Sequence, residues 1–473
     1  MISSITKKGL LICLVLINFL CFKSNAQTNV SGGIYQNTTW TTTGSPYLVT
    51  GSIVVFPGNT LTIEPGVQVI VTADNTFNTG NFIYLEVRGA LVANGTLGQP
   101  IVFTSTDTTA GFYNWLGIRI KGSQGGNVQM NNFELYNTWY GIHNDISEPG
   151  ITYAFDNCLF QSNNYALQLN ADLVYNNCSF IQNGVGQAAQ ISYGTMTATN
   201  CIFTDNFCSV TWSNGINLQG CTFTGNQNNI IGCAGLIDSC QFINNNYAFT
   251  QCSGLDIRNC LFTGNANGVE GDANCQITNS IFDNNIIAVR IGDNGNITNN
   301  QIVNNEIGIQ ITAYTPNSTV IENNIICSNT IHNLENLTDK NYQVNLNCFC
   351  SQDSTVIENG IYDGYDDITR GLVNYAIYDD SCQTILSYVT KVQLGGTTGL
   401  NELSNEMKVW YSNHYLTIQS TSISFIEVID VNGRMINSYP INTDNTSMAI
   451  DLISGVYFVR NQEGYCKRFI VAE

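Results

Sequence analysis

A short phrase of alternating apolar and polar residues returns between positions 156 and 329 at nearly constant spacing. Asn157-Cys158-Leu159-Phe160 is one copy, and Asn259-Cys260-Leu261-Phe262 is another. From Cys158 onward, the equivalent position advances by 20, 23, 20, 19, 20, 20, 20 and 24 residues. A period of this length is typical of a solenoid, in which each repeat forms one coil and stacks on the next.

Within each repeat, mostly apolar residues fall in three pairs, and the two members of a pair are two residues apart. In one copy the pairs are Cys275 and Ile277, Ser280 and Phe282, and Val289 and Ile291. A pair at this spacing is typical of a short strand that points alternate side chains inward. The pattern therefore predicts an all-β fold, a right-handed three-sided parallel β-helix with coils about 4.8 Å apart.

Stacking in register predicts one inward structural ladder of cysteines, with phenylalanines beside it. The ladder contains Cys158, Cys178, Cys201, Cys221, Cys240 and Cys260. Ser280 takes the same position in the next repeat, which favours space filling over bonding, so we predict mostly free thiols. Disulfides between adjacent coils are the alternative, because stacked Cα atoms lie within disulfide range.

Asparagines flank the repeat at two positions, as in Asn157 and Asn163. Asparagine tolerates left-handed backbone conformations, and stacked amides hydrogen-bond from coil to coil. These residues therefore predict corners of the coil.

Residues 27–130 alternate apolar and polar residues between turn signals such as Pro57-Gly58 and Pro65-Gly66. The phrases LTIEPGVQVIV, LEVRGALVANGT, PIVFTS and WLGIRIKG resemble the opening coils of secreted bacterial β-helix proteins with a pectate-lyase-like solenoid. The resemblance implies that residues 27–130 are N-terminal coils and that residues 131–340 continue them with the Asn/Cys/Phe repeat. It implies an architecture and no particular chemistry.

Residues 1–26 have the pattern of a secretory signal peptide. Lys7 and Lys8 precede an apolar run, and Ser24-Asn25-Ala26 is a small-residue cleavage site, so we expect cleavage after Ala26. No later apolar run is long enough to span a bilayer as a helix. We therefore expect an exported protein.

The chain carries 35 acidic and 16 basic residues, for a net charge of -19. This balance argues against a nucleic-acid partner, because two polyanions repel each other. The charge is typical of a soluble secreted protein, and binding of calcium or of cationic partners is the alternative.

Residues 341–395 leave the repeat, and the stretch from Ile361 to Tyr375 resembles the closing segment of bacterial β-helix proteins. A solenoid needs such a cap over its last coil, and we predict a short helix from Ile357 to Tyr362 within it. Asp363, Asp366 and Asp367 are weak candidates for calcium ligands, and a solvated cap is the alternative.

After a linker at residues 396–407, residues 408–473 alternate at period two, with Asn432-Gly433 as a hairpin turn. The phrases VNGR, LISGVYFV and KRF resemble the C-terminal sorting domain of type IX secretion cargo in Bacteroidota. The usual Pro-Asn-Pro near its start is absent. The resemblance implies a small β-sandwich that binds the type IX secretion machinery and brings the protein outside the cell or to its surface.

Many parallel β-helix proteins resemble pectate lyases or polygalacturonases, so an enzyme is a hypothesis to test against the residues. A lyase needs a base and a cluster of acids for calcium, and a glycosidase needs paired carboxylates. Arg119-Ile120-Lys121 is similar to an Arg-Ile-Lys element of the glycosidases, but no pair of Asp residues accompanies it, so we treat it as coincidence. No catalytic site is recognisable.

The repeat holds few charges, and several of them are one coil apart. Asp238 with Arg258 and Glu270 with Arg290 are predicted to form stacked surface ion pairs on different faces. Together with the nearby Asp256 and Asp272, they are weak candidates for a calcium-assisted lyase site. The weak catalytic candidates are thus Asp238, Asp256, Arg258, Glu270, Asp272, Arg290 and His143.

A predicted loop between Ile142 and Ile151 places His143 near Asp145 and Glu148. Loops on a solenoid often carry function, although a lone histidine in a loop is usually just exposed. Trp115, Trp139 and Tyr140 lie near this end and are candidates for stacking on sugar rings, although strand aromatics often pack inward. Asp145, Glu148 and these three aromatics are the weak binding candidates.

We therefore expect a secreted or cell-surface β-helix scaffold that binds extracellular carbohydrate or surface partners, as an adhesin does. A divergent polysaccharide lyase or glycoside hydrolase is the second hypothesis, and a structural surface component is the third. We expect no cofactor apart from calcium, no nucleic acid and no transmembrane helix.

Overall fold

The computed structural model describes two parts of the chain. In the solenoid it describes residues 27–73, 82–108, 114–146, 151–184, 187–190, 194–313, 319–376, 378 and 382. In the C-terminal region it describes residues 408–412, 415–419, 425–430, 435–440, 445–452, 455–461 and 466–471. Four predicted features lie outside these ranges, namely the signal peptide at residues 1–26, the binding candidate Glu148, the linker at 396–407 and the Asn432-Gly433 turn.

The described solenoid is a parallel β-helix of about 13 turns, which confirms the predicted fold class. Each regular coil contributes three short strands, and each strand pairs in parallel with its equivalent in the next coil. Three faces result, and we call them the first, second and third face in the order in which the chain visits them.

The first face begins with the strands Thr38–Trp40, Thr60–Ile63, Ala90–Asn94 and Asn127–Asn131. It continues with Thr152–Asp156, Asp172–Asn176, Thr195–Thr199, Gly215–Gln219, Gly235–Asp238, Leu255–Arg258, Gln276–Thr278, Asn296–Thr298 and Val320–Glu322.

The second face contains the strands Gln68–Val71, Ile101–Ser105, Phe133–Tyr136, Leu159–Gln161, Ser179–Ile181, Ile202–Thr204, Thr222–Thr224, Gln241–Ile243, Leu261–Thr263, Ile281–Asp283, Gln301–Val303 and Ile325–Cys327.

The third face contains the strands Tyr84–Val87, Gly117–Ile120, Ile142–Asn144, Leu167–Gln168, Gln187–Gln190, Cys208–Thr211, Asn228–Ile231, Tyr247–Thr250, Cys252–Ser253, Asn267–Ala273, Ile287–Asp293, Ile307–Ile311, His332–Asn336 and Ile361–Tyr362. Two longer strands, Thr28–Ile34 and Tyr47–Val55, pair with each other and begin both the second and the third face.

The core is a set of side-chain stacks along the solenoid axis. The rings of Phe160, Phe180, Phe203, Phe223, Phe242, Phe262 and Phe282 lie parallel, with centroids of neighbours 4.5 to 4.9 Å apart. The six predicted ladder cysteines are each at most 2% exposed and are free thiols. Both the cysteines and the phenylalanines therefore point into the core.

Asparagines form the corners as predicted. Asn157, Asn177 and Asn259 have positive φ angles of 53°, 53° and 56°. A second set of asparagines hydrogen-bonds from coil to coil. From Asn183 onward, each amide oxygen accepts a hydrogen bond from the equivalent asparagine one coil earlier, and all members except the partly buried Asn329 are buried; the set is Asn163, Asn183, Asn206, Asn226, Asn245, Asn265, Asn285, Asn305 and Asn329.

The last coil is covered by a cap with its own cross-links. Its helix spans Ser354–Glu358, so the predicted helix at 357–362 was placed too late, and Ile361–Tyr362 is a strand. Disulfides join Cys327 to Cys350 and Cys348 to Cys382, and the strands Tyr342–Gln343 and Val373–Asn374 pair beside them. Two short 3₁₀ helices, Thr42–Gly44 and Gly122–Gln124, lie in the N-terminal coils.

The C-terminal region forms two antiparallel sheets. One contains Lys408–Ser412, Tyr415–Gln419 and Asn445–Ala449, and the other contains Phe425–Asp430, Met435–Pro440, Gly455–Asn461 and Cys466–Val471. Residues of both sheets, such as Ile418 and Val428, share one buried cluster, as in the predicted small sandwich. In the described part of the chain, no helix has the length and apolarity that crossing a bilayer requires.

Candidate functional site

Polar side chains line up on the outside of the third face at its N-terminal end. Strand pairing puts Glu86, Arg119, His143 and Gln168 at equivalent positions of four successive coils. Parallel strands lie about 4.8 Å apart, so these side chains are immediate neighbours along the solenoid axis. Apolar neighbours such as Ile118 and Ile142 point into the core and hold the row in place.

Ion pairs connect this row into one group, which we call the N-terminal cluster. Glu86 Oε1 lies 2.5 Å from Arg88 Nε, and its Oε2 lies 3.5 Å from a terminal guanidinium nitrogen of Arg119. In the next coils Asp145 Oδ2 lies 3.3 Å from Lys121 Nζ. The cluster consists of Glu86, Arg88, Arg119, Lys121, Ser123, His143 and Asp145.

The environment of the cluster keeps His143 neutral. The pKa of His143 is lowered to about 4, chiefly by burial and also by the nearby Arg119 and Lys121, while Asp145 opposes them. The Nδ1 atom is buried and has no hydrogen-bond partner among the described residues. A buried ring nitrogen in this state is able to take up a proton or a hydrogen bond that the folded chain does not supply.

Asp145 remains an anion beside this histidine. Burial opposes ionisation of Asp145, but hydrogen bonds from the Ser123 hydroxyl at 2.7 Å and from Lys121 lower its pKa. The cluster thus presents carboxylates, cations and a neutral imidazole within three coils.

An aromatic patch borders the cluster. Tyr140 stacks between Trp139 and Tyr165, with ring centroids 5.3 and 5.4 Å away, and the three side chains are partly exposed. The Tyr140 ring also lies 5.4 Å from the ring of His143. Flat aromatic surfaces next to hydrogen-bonding groups are suited to sugar rings, which are apolar on their faces and polar at their edges.

Two of the sequence predictions for this region need correction. His143 lies on the strand Ile142–Asn144 and not in a loop, because its apolar neighbour Ile142 is anchored in the core. Trp115 is 1% exposed, and its Nε1 donates a hydrogen bond to the Tyr136 carbonyl oxygen at 3.0 Å. Its ring packs inward and is not available to a ligand.

The other charged candidates do not join the cluster. Asp238 and Arg258 form the predicted ion pair at 3.0 Å on the first face, and Asp256 lies 3.8 Å from the same arginine. Glu270 and Arg290 form the second predicted pair at 2.9 Å on the third face. The two pairs lie on different faces and do not converge; for Asp272, in the same strand as Glu270, the structure describes only the backbone.

The three aspartates of the cap are engaged by the chain itself. Asp363 is fully buried, and its carboxylate accepts hydrogen bonds from the backbone N–H groups of Tyr365 and Val373. Asp366 accepts from the N–H of Asp363, and Asp367 accepts from Thr369. These contacts are those of turn-capping residues, and calcium binding here stays a prediction.

Within the described ranges, one group of potential metal ligands converges. The sulfurs of Cys348, Cys350 and Cys382 lie within 4.8 Å of one another. All three belong to the two disulfides of the cap, in which Cys327 is the fourth member. Disulfide sulfurs are not thiolates, so this group is a cross-link and not a metal centre in the form described.

The sequence analysis missed Glu86, Arg88 and Ser123, and it set Arg119 and Lys121 aside as a coincidence. Leu85-Glu86-Val87-Arg88 and Ile118-Arg119-Ile120-Lys121 show the same alternation of apolar and charged residues, and this was the available signal. The arrangement is able to donate hydrogen bonds from guanidinium and ammonium groups, accept them at carboxylates, and stack a ring on tyrosine.

We compared the chain with protein families, curated proteins and solved structures. A search of curated proteins finds no match. Among solved structures, the A-module of a mannuronan C-5 epimerase from Azotobacter vinelandii is 11% identical over 68% of this chain and 91% of its own, with a TM-score of 0.30.

A tailspike protein of Acinetobacter baumannii bacteriophage Fri1, a capsular polysaccharide depolymerase, is 12% identical over 95% of this chain and 84% of its own, with a TM-score of 0.29. A mannuronic acid specific polysaccharide family 6 lyase from human gut microbiota is 10% identical over 63% of this chain and 79% of its own, with a TM-score of 0.25. TM-scores this low carry no inference about activity. Residues 32–153, which include the N-terminal cluster, match the family model described as a pectate-lyase like beta helix domain.

Proposed function

We propose that this protein is an extracellular scaffold that binds a carbohydrate polymer on the third face of its solenoid. The observation that carries the proposal is the contact between the N-terminal cluster and the aromatic patch, with the rings of Tyr140 and His143 5.4 Å apart. Sugar polymers are recognised by this combination of stacking surfaces and hydrogen-bonding groups whose positions are fixed before binding.

The fixed geometry supports binding without a conformational change. The charged groups are held by ion pairs between successive coils, and the coils are held by the stacked core. A ligand on this face therefore loses little of its binding free energy to ordering of the protein.

Binding is tested with the purified protein and a panel of acidic and neutral polysaccharides on a glycan array, followed by calorimetry. Tyr140→Ala and Arg119→Gln are expected to weaken binding at least about tenfold, which is the scale of one lost stacking contact or charged hydrogen bond. Arg258→Gln, on the first face, is the control and is expected to bind as the unaltered protein does. Equal binding by all three variants would place the ligand elsewhere.

A second candidate, a divergent polysaccharide lyase, is favoured by one observation, the neutral His143 beside Arg119 and Lys121. A lyase needs a neutral base to remove a proton next to a uronate carboxylate that cations hold in place. Release of unsaturated ends from an acidic polysaccharide, abolished by His143→Gln, would establish this activity. If only reducing ends without unsaturation appear, the hydrolase alternative is favoured.

The region at residues 408–473 supports a proposal about localisation. Its alternating strands and its VNGR, LISGVYFV and KRF phrases resemble those of a type IX sorting domain, and we infer from this resemblance that it directs export to the cell exterior or surface. A chain that lacks residues 408–473 is then expected to stay in the periplasm. Secretion of the shortened chain at the normal level would refute this role.

The third hypothesis concerns the solenoid. If the purified protein binds no glycan and no cell-surface partner, a role as a structural surface component is favoured.

A further inference from the structure

A second polar network lies on the third face near its C-terminal end. Arg290 donates from a terminal guanidinium nitrogen to Glu270 Oε1 at 2.9 Å and from Nε to Gln310 Oε1 at 2.9 Å. Gln310 donates to Glu335 Oε2 at 2.7 Å, and Glu335 Oε1 lies 2.7 Å from His332 Nδ1. We call these five residues the C-terminal network.

The network is fixed in place although it belongs to the outer surface. Gln310 and Glu335 are only 7% and 8% exposed, while the side chains of Arg290 and His332 are 32% and 27% exposed. Buried hydrogen-bonded groups hold the exposed ones in one conformation. The arginine and histidine are thus presented to solvent from a rigid support.

The solenoid itself does not need a polar network at this position. In the coils between, the equivalent residues are Gln190, Thr211, Ile231 and Thr250, none of which is charged, and these coils pair with their neighbours in the same register. Charged and amide side chains occur together near both ends of the third face. Because the coils between fold without charged residues at this strand position, the charged residues are not required for a coil to form.

An exposed tryptophan lies between the two ends. Trp212 follows Thr211 on the third face and is 53% exposed. A Cβ atom added to Gly232, one coil further on, would lie 2.5 Å from Cε3 of the Trp212 ring, so the ring lies directly over that glycine. The absence of a side chain at Gly232 gives the tryptophan room to lie along the surface.

We propose that the C-terminal network and Trp212 are further binding positions for the polymer held by the N-terminal cluster. This inference rests on the proposed function. Eight successive strand pairings separate the strand of Arg119 from that of Arg290, which corresponds to roughly 38 Å at about 4.8 Å per strand. The ligand is a linear polysaccharide that lies along the solenoid axis and is long enough to reach both ends.

The groups of the C-terminal network match such a ligand. Arg290 and Glu270 offer donors and acceptors to sugar hydroxyls or carboxylates, and the ring of His332 lies 5.4 Å from the ring of Tyr362, which adds an aromatic surface. Occupation of two linked positions raises affinity, because the second contact becomes intramolecular once the first has formed.

The experiment measures affinity for a series of oligosaccharides of increasing length, taken from each polysaccharide that binds. Affinity is expected to rise steeply once the oligosaccharide spans both ends, by on the order of 10²-fold, and then to level off. Arg290→Gln and Trp212→Ala are expected to remove most of this gain and to leave the affinity for short oligosaccharides unchanged. Trp212→Phe, which keeps an aromatic ring, is expected to restore part of it.

Circular dichroism and the melting temperature show whether each variant folds, and Arg258→Gln is again the control. Affinity that levels off at short lengths, with no effect of Arg290→Gln or Trp212→Ala, would overturn the inference and leave the proposed function standing. If no oligosaccharide or polymer binds, or if Tyr140→Ala and Arg119→Gln bind as the unaltered protein does, the proposed function fails as well.

Discussion

The Nε atom of Arg258 lies 3.0 Å from Oδ2 of Asp238, and the two residues occupy the same strand position in successive coils. The arginine side chain is 42% exposed, so water and salt screen the attraction. We expect Arg258→Ala to lower the free energy of unfolding by at most about 1 kcal/mol, measured by urea denaturation. A loss of several kcal/mol would show that the pair has a structural role that its exposure does not indicate.

Phe223 lies in the middle of the aromatic stack. Its ring centroid is 4.6 Å from that of Phe203 and 4.7 Å from that of Phe242. Phe223→Ala removes contacts with both neighbouring coils and leaves a cavity, so we expect a loss of about 3–5 kcal/mol in the free energy of unfolding. Denaturant unfolding measures this loss.

Thr222 provides the matched control, because it lies on the same strand and is only partly buried. Thr222→Ala is expected to change the free energy of unfolding by less than about 1 kcal/mol. Similar losses for the two variants would mean that the stack contributes less than its burial indicates.

Asn226 connects three coils through its amide. Its oxygen accepts from the backbone N–H of Asn206 at 2.8 Å and from the Asn206 amide at 3.0 Å. Its own nitrogen donates to the Phe203 carbonyl oxygen at 2.9 Å and, in the following coil, to the Asn245 amide oxygen at 3.1 Å. Asn226→Ala removes these hydrogen bonds and leaves the buried backbone N–H of Asn206 without this acceptor, at a cost of about 1–3 kcal/mol. We expect a clear fall in melting temperature.

Asn217, exposed in the middle of a first-face strand, is the control for this substitution. Asn217→Ala is expected to leave the melting temperature nearly unchanged. A chain that tolerates Asn226→Ala equally well would contradict the assignment of the buried ladder as a stabilising element.

The stacks and ion pairs of the regular coils were predictable because most successive repeats there have nearly the same length, about 20 residues. Cys240 and Cys260 are 20 residues apart, as are Asp238 and Arg258, and a parallel ladder brings such residues to one height. The period alone is therefore sufficient to predict which residues touch.

The candidate site was only partly predictable because the coils that form it are longer than the regular repeat of about 20 residues. Glu86 and Arg119 are 33 residues apart, and Gln310 and Glu335 are 25 apart, so their registers cannot be counted from a repeat of about 20. The inward direction of Trp115 was missed for the same reason. The register of strand pairing is what assigns these side chains to the surface or to the core.

The buried thiols are expected to be unreactive in the folded protein. Burial raises the pKa of Cys178 and Cys240, and raises the pKa of Cys208 to about 12 and of Cys252 to about 11. Only thiolates react readily with iodoacetamide, and these thiols are both protonated and inaccessible at neutral pH.

Mass spectrometry after alkylation, on samples with and without a reducing agent, checks this expectation. The ladder cysteines should be labelled only when the protein is unfolded, and Cys327, Cys348, Cys350 and Cys382 should be labelled only after reduction as well. Bonds between adjacent ladder cysteines such as Cys158 and Cys178 would show that the interior is cross-linked.

His143 predicts a specific dependence of stability on pH. Its pKa is lowered to about 4 in the folded chain by burial and by Arg119 and Lys121, while a histidine in the unfolded chain has a pKa near 6.5. Between these values the unfolded state binds more protons than the folded state, so stability falls as pH decreases from about 6.5 to about 4. His143→Gln removes this contribution.

The measurement is the difference in melting temperature between the unaltered protein and His143→Gln at pH 7 and at pH 5. Acidification should lower the free energy of unfolding of the unaltered protein more than that of the variant, by up to about 2 kcal/mol. The other titrating groups are the same in both proteins, so this difference reports on His143. A difference that is constant over this range would mean that His143 titrates normally in the folded protein. In that case it would be protonated at pH 5 despite the neighbouring cations, and the lyase candidate would have a neutral base only above about pH 6.5.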